Sequence, residues 1–310
     1  MAKFRDSPAQ DLPLPESAAA PGPAAAASPT SAVLDRSIGD IISETRNLSA
    51  EQVERILQHQ REHGVRFGEA AVALGMVTQD EVLFALSQQF HYPYAPQERR
   101  ALSPELVSLN QPFSAQAEAF RAIRSQVMMR IFVNGEPRSA LAIISPDAGD
   151  GKTFFAANLA VSLAQLGGRT LLVDADMRGP RQHEVFKLRN QTGLSSILSG
   201  RAEAQVIQQV EGVPSLFVLP VGVTPPNPVE LVERPAFGLL MRELASKFDH
   251  VIVDTPAMLY GSDASVIAAK CGAALIIARK NESRVAALQD MVASIANTPA
   301  KLAGVIVNEF

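Results

Sequence analysis

The stretch Ser145–Phe155, SPDAGDGKTFF, most constrains what this chain can fold into. It follows an apolar run, ALAIIS, and opens a helical pattern, GKTFFAANLAVSLAQLGG, that stops at Gly167 and Gly168. Strand, glycine-bearing loop and helix, in that order, aim backbone N–H groups and the positive end of a helix at one point. Such a point attracts phosphate oxygens, and Lys152 adds a positive charge to it. Pro146 stands where the usual pattern has its first glycine. The helix is expected to be amphipathic.

From Ser114 onward the alternation continues, with strand-like runs RTLLVDAD, LFVLPVG, HVIVDTP, AALIIARK and LAGVIVNEF separated by helical patterns. That alternation predicts an α/β domain: a parallel sheet with helices on both faces. Strand-terminal carboxylates in such a sheet gather at its carboxyl edge, where ligands bind. Asp174 and Asp176 in LLVDADMR and Asp254 in VIVDTP are three of these. Helix capping explains one aspartate at a strand end but accounts poorly for three beside GKT. The set points to ATP and Mg2+. Candidate nucleotide contacts are Ala148, Gly149, Asp150, Gly151, Lys152, Thr153 and Phe154; Thr153, Asp176 and Asp254 are the candidate magnesium ligands, direct or through water.

Ahead of this domain lies a repeat. Ser37–Gln60 aligns with Arg66–Gln89 at a constant offset of 29 residues: Gly39 meets Gly68, Ser49 meets Thr78, Val53 meets Val82, Leu57 meets Leu86. Each copy has a helix start with reciprocal capping, Ser49 with Gln52 and Thr78 with Glu81, before apolar residues at helical spacing. A small all-α domain of two similar halves is expected over 35–92. Residues 93–113, proline-bearing and without sustained periodicity, read as a linker, and 114–310 as the nucleotide domain. Residues 1–34, rich in Ala, Pro and Ser, read as a disordered arm.

A chain of 310 residues has room for about two domains. Its net charge of −4 offers no broad basic face for nucleic acid. Cys271, the single cysteine, excludes an intrachain disulfide and sits in an apolar stretch where a thiol acts as a small buried hydrophobe. The histidines form no zinc-ligand pattern; His59 and His63 share a helix face as solvated side chains. No apolar run approaches the roughly 18–20 residues of a membrane helix.

GKT, LLVDADMR and VIVDTP together resemble the bacterial tyrosine kinases of polysaccharide export, which pair a degenerate GK[ST] loop with hhhDxDxR and hhhDxxP; PPNPVELV (Pro225–Val232) matches that family too. The fold implied is a P-loop NTPase. The resemblance is strongest to the chain-length determinant tyrosine kinases of exopolysaccharide clusters, and it covers residues from about 36 to the end. It implies that Lys152, Asp174, Asp176, Asp254 and Arg178 are catalytic, with Asp174 accepting the proton of a tyrosine hydroxyl and Arg178 supporting the site. Asn308 occupies the place where related folds read adenine. The motif ExxRxxR, here Glu118, Arg121 and Arg124, makes subunit contacts in a ring in that family and implies a homo-oligomer; on one helix face the three are within ion-pair reach. Cell-division and partition ATPases carry a signature lysine five positions before the loop lysine. Asp147 stands there and argues against that class.

The repeat is similar to the N-terminal domain of type II secretion ATPases, some of which bind cyclic di-GMP. Arg66, Gly68, Gly75, Leu86 and Gln89 match its motif, whereas the first copy has Ser37 and Arg46 at the arginine and second-glycine positions. Two roles stay open, a cyclic di-GMP site at Arg66, Gly68, Gly75 and Gln89 or a protein-docking domain. The resemblance also implies a cluster of acceptor tyrosines after the last strand, but only Tyr92, Tyr94 and Tyr260 exist. Two functions follow: a kinase acting on tyrosines elsewhere or on Tyr92 and Tyr94, or an ATP-binding switch that hydrolyses slowly and transfers nothing to tyrosine. Either is expected in the cytoplasm, recruited to the inner membrane by a separate polysaccharide copolymerase that regulates chain length.

Overall fold

The computed structural model describes residues 37–89, 102–133, 135, 137–201 and 206–309. The expected arm, Tyr92 and Tyr94 lie outside the described residues.

The repeat folds as four helices, α1 (Ile38–Arg46), α2 (Ala50–His63), α3 (Phe67–Ala73) and α4 (Gln79–Gln89). Both capping pairs form: Gln52 N–H donates to Ser49 Oγ at 3.3 Å and Ser49 N–H to Gln52 Oε1 at 2.9 Å. The second copy repeats this, with Glu81 N–H to Thr78 Oγ1 at 3.3 Å and Thr78 N–H to Glu81 Oε2 at 2.7 Å. Repeat-equivalent positions fill the core, Ile42 with Ala71 and Ile56 with Ala85, all buried. Gly68 has a packing reason: a Cβ there would lie 2.6 Å from Val82 Cγ1 on α4. Gly75 has a backbone reason, a φ of +66° in the turn after α3. Arg66 is exposed at the start of α3, its N–H given to Glu69 Oε2 at 2.9 Å, and the side chain of Gln89 lies outside the described residues. His59 and His63 stack at 4.0 Å on the exposed side of α2.

Among the described residues seven strands form one sheet: β1 (Ala140–Ile144), β2 (Thr170–Asp174), β3 (Gln208–Gln209), β4 (Leu216–Leu219), β5 (His250–Asp254), β6 (Gly272–Arg279) and β7 (Lys301–Asn308). The order is β3-β4-β2-β5-β1-β6-β7, parallel except for β3 against β4. Six of these are the runs read from the sequence; β3, two polar residues, carried no pattern. The chain leaves β1 with later strands on both sides, so the order reverses there and opens a crevice beyond its carboxyl end.

One face is covered by α5 (Val107–Asn110), α6 (Ala115–Arg130), α7 (Lys152–Ala164) and α8 (Gln182–Val185). The other packs under α9 (Leu194–Leu198), α10 (Pro228–Glu233), α11 (Pro235–Lys247), α12 (Asp263–Cys271) and α13 (Val285–Ala296). Cys271 is buried there, its thiol pushed above the ordinary range by burial.

Two expectations need correcting. The helix after the loop, α7, is not amphipathic: its residues from Phe155 to Ala164 are all buried, because α5 and α6 cover the side that would otherwise face water. The second half of the expected linker, 102–113, is packed structure. Leu106, Val107 and Leu109 are buried in the core beside α7. Asn158 of α7, itself fully buried, holds the segment by accepting from Ser108 N–H at 2.9 Å and donating to the Glu105 carbonyl at 2.9 Å. Burying two leucines is worth about 3–6 kcal/mol, which adds to the Asn158 bonds in ordering a segment without helical periodicity of its own.

Candidate nucleotide and phosphoryl-transfer site

The loop between β1 and α7 is shaped by its own side chains. Gly149 and Gly151 take φ values of +85° and +94°, and Gly151 starts α7 without a side-chain cap, so the first N–H groups of the helix remain free for a ligand. Asp150 is buried. Its carboxylate accepts from Asp147 N–H at 2.9 Å and from Ser283 Oγ at 3.0 Å, and its carbonyl accepts from Asn308 Nδ2 at 3.2 Å. Thus the Asp150 side chain braces the loop. Asn308 both braces it and lines the cleft.

Lys152 is 7% exposed, and its ammonium donates to Ser145 Oγ at 2.8 Å and the Asp147 carbonyl at 3.4 Å. Burial lowers its pKa, opposed by the charges of Asp254, Asp176, Asp150 and Asp147. Asp147, at the signature-lysine position of the partition class, contributes its backbone to this loop.

Asp174 and Asp254 end β2 and β5 and are register partners on neighbouring strands. Both are fully buried. Burial, then the charge of Asp254, holds Asp174 well above the usual carboxylate range. Burial also raises Asp254 to about 6, opposed by hydrogen bonding from Gln182 and by the charge of Lys152. Asp174 accepts from Asp176 N–H at 3.2 Å and Gln182 N–H at 3.0 Å, so both its oxygens are occupied by the turn that follows β2. Asp254 Oδ1, by contrast, is buried without a hydrogen-bond partner. An orphaned carboxylate oxygen beside a buried ammonium fits a site for a divalent cation carried by a polyphosphate.

These groups border a cleft of about 930 Å³, walled by Ala148, Gly149, Gly151, Lys152, Thr153 and Phe154 of the loop and helix. Asp176, Arg178 and Asn308 join them, whereas Asp150, Asp174 and Asp254 do not reach its wall. Phe154 also packs on Phe120 of α6, ring centroids 6.0 Å apart. Glu105 and Val107 from the corrected linker region and Gln116 of α6 also line it.

Sequence reasoning missed several members. Gln182 is fully buried and donates its side-chain amide to Asp254 Oδ2 at 2.9 Å and to the Thr153 carbonyl at 3.1 Å. Asp263, at the start of α12, takes the Arg178 guanidinium through two bonds of 2.9 and 3.1 Å. Arg181 reaches Glu105 at 2.8 Å across the cleft. The only available signal was the proximity of Gln182 and Arg181 to DADMR.

The ExxRxxR residues divide. Arg121 pairs with Glu118 and donates to the Pro112 carbonyl at 2.7 Å, while Arg124 turns to α7 and donates to the Ser162 carbonyl at 2.8 Å. The motif binds α6 to its own domain.

Residues 141–310 match the family described as CbiA, the CobQ/CobB/MinD/ParA nucleotide binding domain. Over 215 residues the chain is 34% identical to the putative tyrosine-protein kinase CapB of Staphylococcus aureus, covering 68% of this chain and 91% of that protein. The chain belongs to the bacterial tyrosine-kinase family. The kinase domain of Escherichia coli tyrosine kinase ETK resembles this family member with a TM-score of 0.64 at 30% identity, over 69% of this chain and 84% of that one. The tyrosine-protein kinase ptk of Acinetobacter johnsonii is 34% identical over 62% of this chain, which spans only 26% of that longer kinase. Among the described residues of this tyrosine-kinase chain, no helix is long and apolar enough to cross a membrane.

Proposed function

We propose that this chain transfers the γ-phosphoryl group of ATP to tyrosine hydroxyls, in the control of exopolysaccharide chain length or export. The observation that carries this reading is the convergence of Lys152, Thr153 and Asp176 on one cleft, backed by the orphaned Asp254 oxygen. Loop amides from Ala148 to Thr153 and the start of α7 hold phosphate oxygens, and Lys152 neutralises charge spreading over them. Thr153, Asp176 and Asp254 are the residues that would hold Mg2+, which when bound supplies charge neutralisation on the phosphates.

Asp174 is assigned a supporting role, because its two oxygens fix the turn from Asp176 to Gln182, whereas Asp254 keeps one oxygen without a partner. The phenol proton then passes to water. A loose transition state asks more of positioning than of a base. Arg178, oriented by Asp263, supports the acceptor side of the cleft. In this reading a separate inner-membrane copolymerase recruits the cytoplasmic chain and its tail completes the nucleotide site. Glu118 and Arg121, with the exposed part of α6, contribute to self-assembly.

Purified chain, Mg2+, ATP labelled on its γ-phosphate and a random Glu/Tyr copolymer test the reading beside Lys152→Ala. Label on copolymer tyrosine, lost in the variant, is the expected result. Label found only as free phosphate, with and without the copolymerase tail, would leave an ATP-binding switch and sink the kinase reading.

A further inference from the structure

Tyr260 stands outside the machinery assigned above, yet it lines the same cleft as Lys152, Thr153 and Asp176. It closes a one-turn helix, Met258–Tyr260, that follows Asp254. Two bonds tie this turn to the phosphate loop: Met258 N–H donates to the Ser145 carbonyl and Leu259 N–H to the Pro146 carbonyl, both at 3.0 Å. The segment that carries the phenol is thus fixed against the loop that carries the phosphates. The side chain itself is free to move, since Tyr260 is 53% exposed and its hydroxyl makes no hydrogen bond among the described residues.

Gly261 allows this placement. Its φ of +139° lets the chain turn sharply into α12, and a Cβ there would meet Asp263 Oδ1 at 3.3 Å and Arg178 Nη2 at 3.8 Å. The Arg178 guanidinium, held by Asp263, thus lies beside Gly261, the residue after the tyrosine, and lines the same cleft.

We propose that Tyr260 is a phosphorylation site, modified by the chain's own cleft. The inference rests on the tyrosine-transfer reading above. The phenol oxygen forms a bond to the γ-phosphorus, and the bond from that phosphorus to the β–γ bridging oxygen breaks. The electron pair leaves with ADP, and the phenol proton passes to water. The product carries about −1.5 to −2 charge and three acceptor oxygens in a cleft that Arg178 also lines, which favours its retention.

The full chain is incubated with Mg2+ and γ-labelled ATP, alone and mixed with Lys152→Ala chain of distinguishable mass, and digested with trypsin. The peptide 248–270 contains Tyr260 alone, whereas 67–99 contains Tyr92 and Tyr94. Expected is phosphate on 248–270 of the wild-type chain, kept in the double variant Tyr92→Phe/Tyr94→Phe and lost from Lys152→Ala even in the mixture. Phosphate confined to 67–99, or Lys152→Ala chains labelled at Tyr260 by wild type, would overturn it. The Glu/Tyr copolymer added to the same reactions separates the two readings. Copolymer labelled with Tyr260 unmodified sinks this proposal and leaves the kinase standing; neither labelled sinks the kinase reading as well.

Discussion

Gln182 and Asp254, 72 residues apart in sequence, are joined by an amide-to-carboxylate bond of 2.9 Å at full burial. The same glutamine gives its backbone N–H to Asp174, so one residue touches both strand-end carboxylates. Two like charges on adjacent strands repel, and a neutral donor between them is what lets either ionise at modest cost.

Replacing Gln182 by Leu removes that donor and should raise the Asp254 pKa above its value of about 6. In the proposed site only ionised Asp254 would hold magnesium, so the acid limb of phosphoryl transfer should move to higher pH. Gln182→Glu should move it further by adding a third carboxyl. A pH profile of kcat/KM distinguishes this from a folding defect, which would lower rates without displacing the limb.

Nucleotide binding should depend on the same proton. Below about pH 6, protonated Asp254 competes with Mg2+, and the affinity for Mg-ATP should fall by up to about tenfold per pH unit. Affinity for ATP without metal should fall less. Calorimetric titration between pH 5 and 8, with and without Mg2+, checks both.

Stability carries the opposite sign. The folded-state pKa of Asp254 lies above its ordinary value of 3.8, so its contribution is full below about pH 4 and is lost as pH rises through about 6. Asp254→Asn abolishes this loss. The variant should therefore melt above the wild type at pH 7.5 without nucleotide, with the gap narrowing as pH falls through 6. A constant gap in thermal melts would contradict it.

Asp263→Asn should cost about 1.5–3 kcal/mol, because it breaks a two-bond pair whose carboxylate is 2% exposed. It should also loosen Arg178 and slow transfer. If Arg178→Ala loses transfer and the double variant loses no more, the aspartate acts through the arginine.

Gly68→Val should destabilise the helical repeat by about 1–3 kcal/mol through its clash with Val82, and Val82→Ala should recover part of the loss. Denaturation followed by circular dichroism reads the cost. Copolymer phosphorylation by folded protein should be unaffected, since neither residue borders the cleft.

What the sequence determined by itself is local. The runs around β1, β2 and β4 to β7, the reciprocal caps of α2 and α4, the loop before α7 and the strand-end aspartates each follow from neighbours within a few residues, because strand period, capping and turn chemistry act at that range. Tertiary structure decided the rest. Segment 102–113 lacks periodicity and owes its order to Asn158, about 50 residues away. The pairing of Arg178 with Asp263 spans 85 residues and that of Gln182 with Asp254 spans 72. Only the closing of β2 and β5 side by side placed Asp174 against Asp254, and burial at that seam set their proton affinities. Motif spacing names the groups proposed to touch phosphate, but desolvation and contacts between distant segments fix which carboxylates lie buried behind the cleft and that Asp176 reaches its wall.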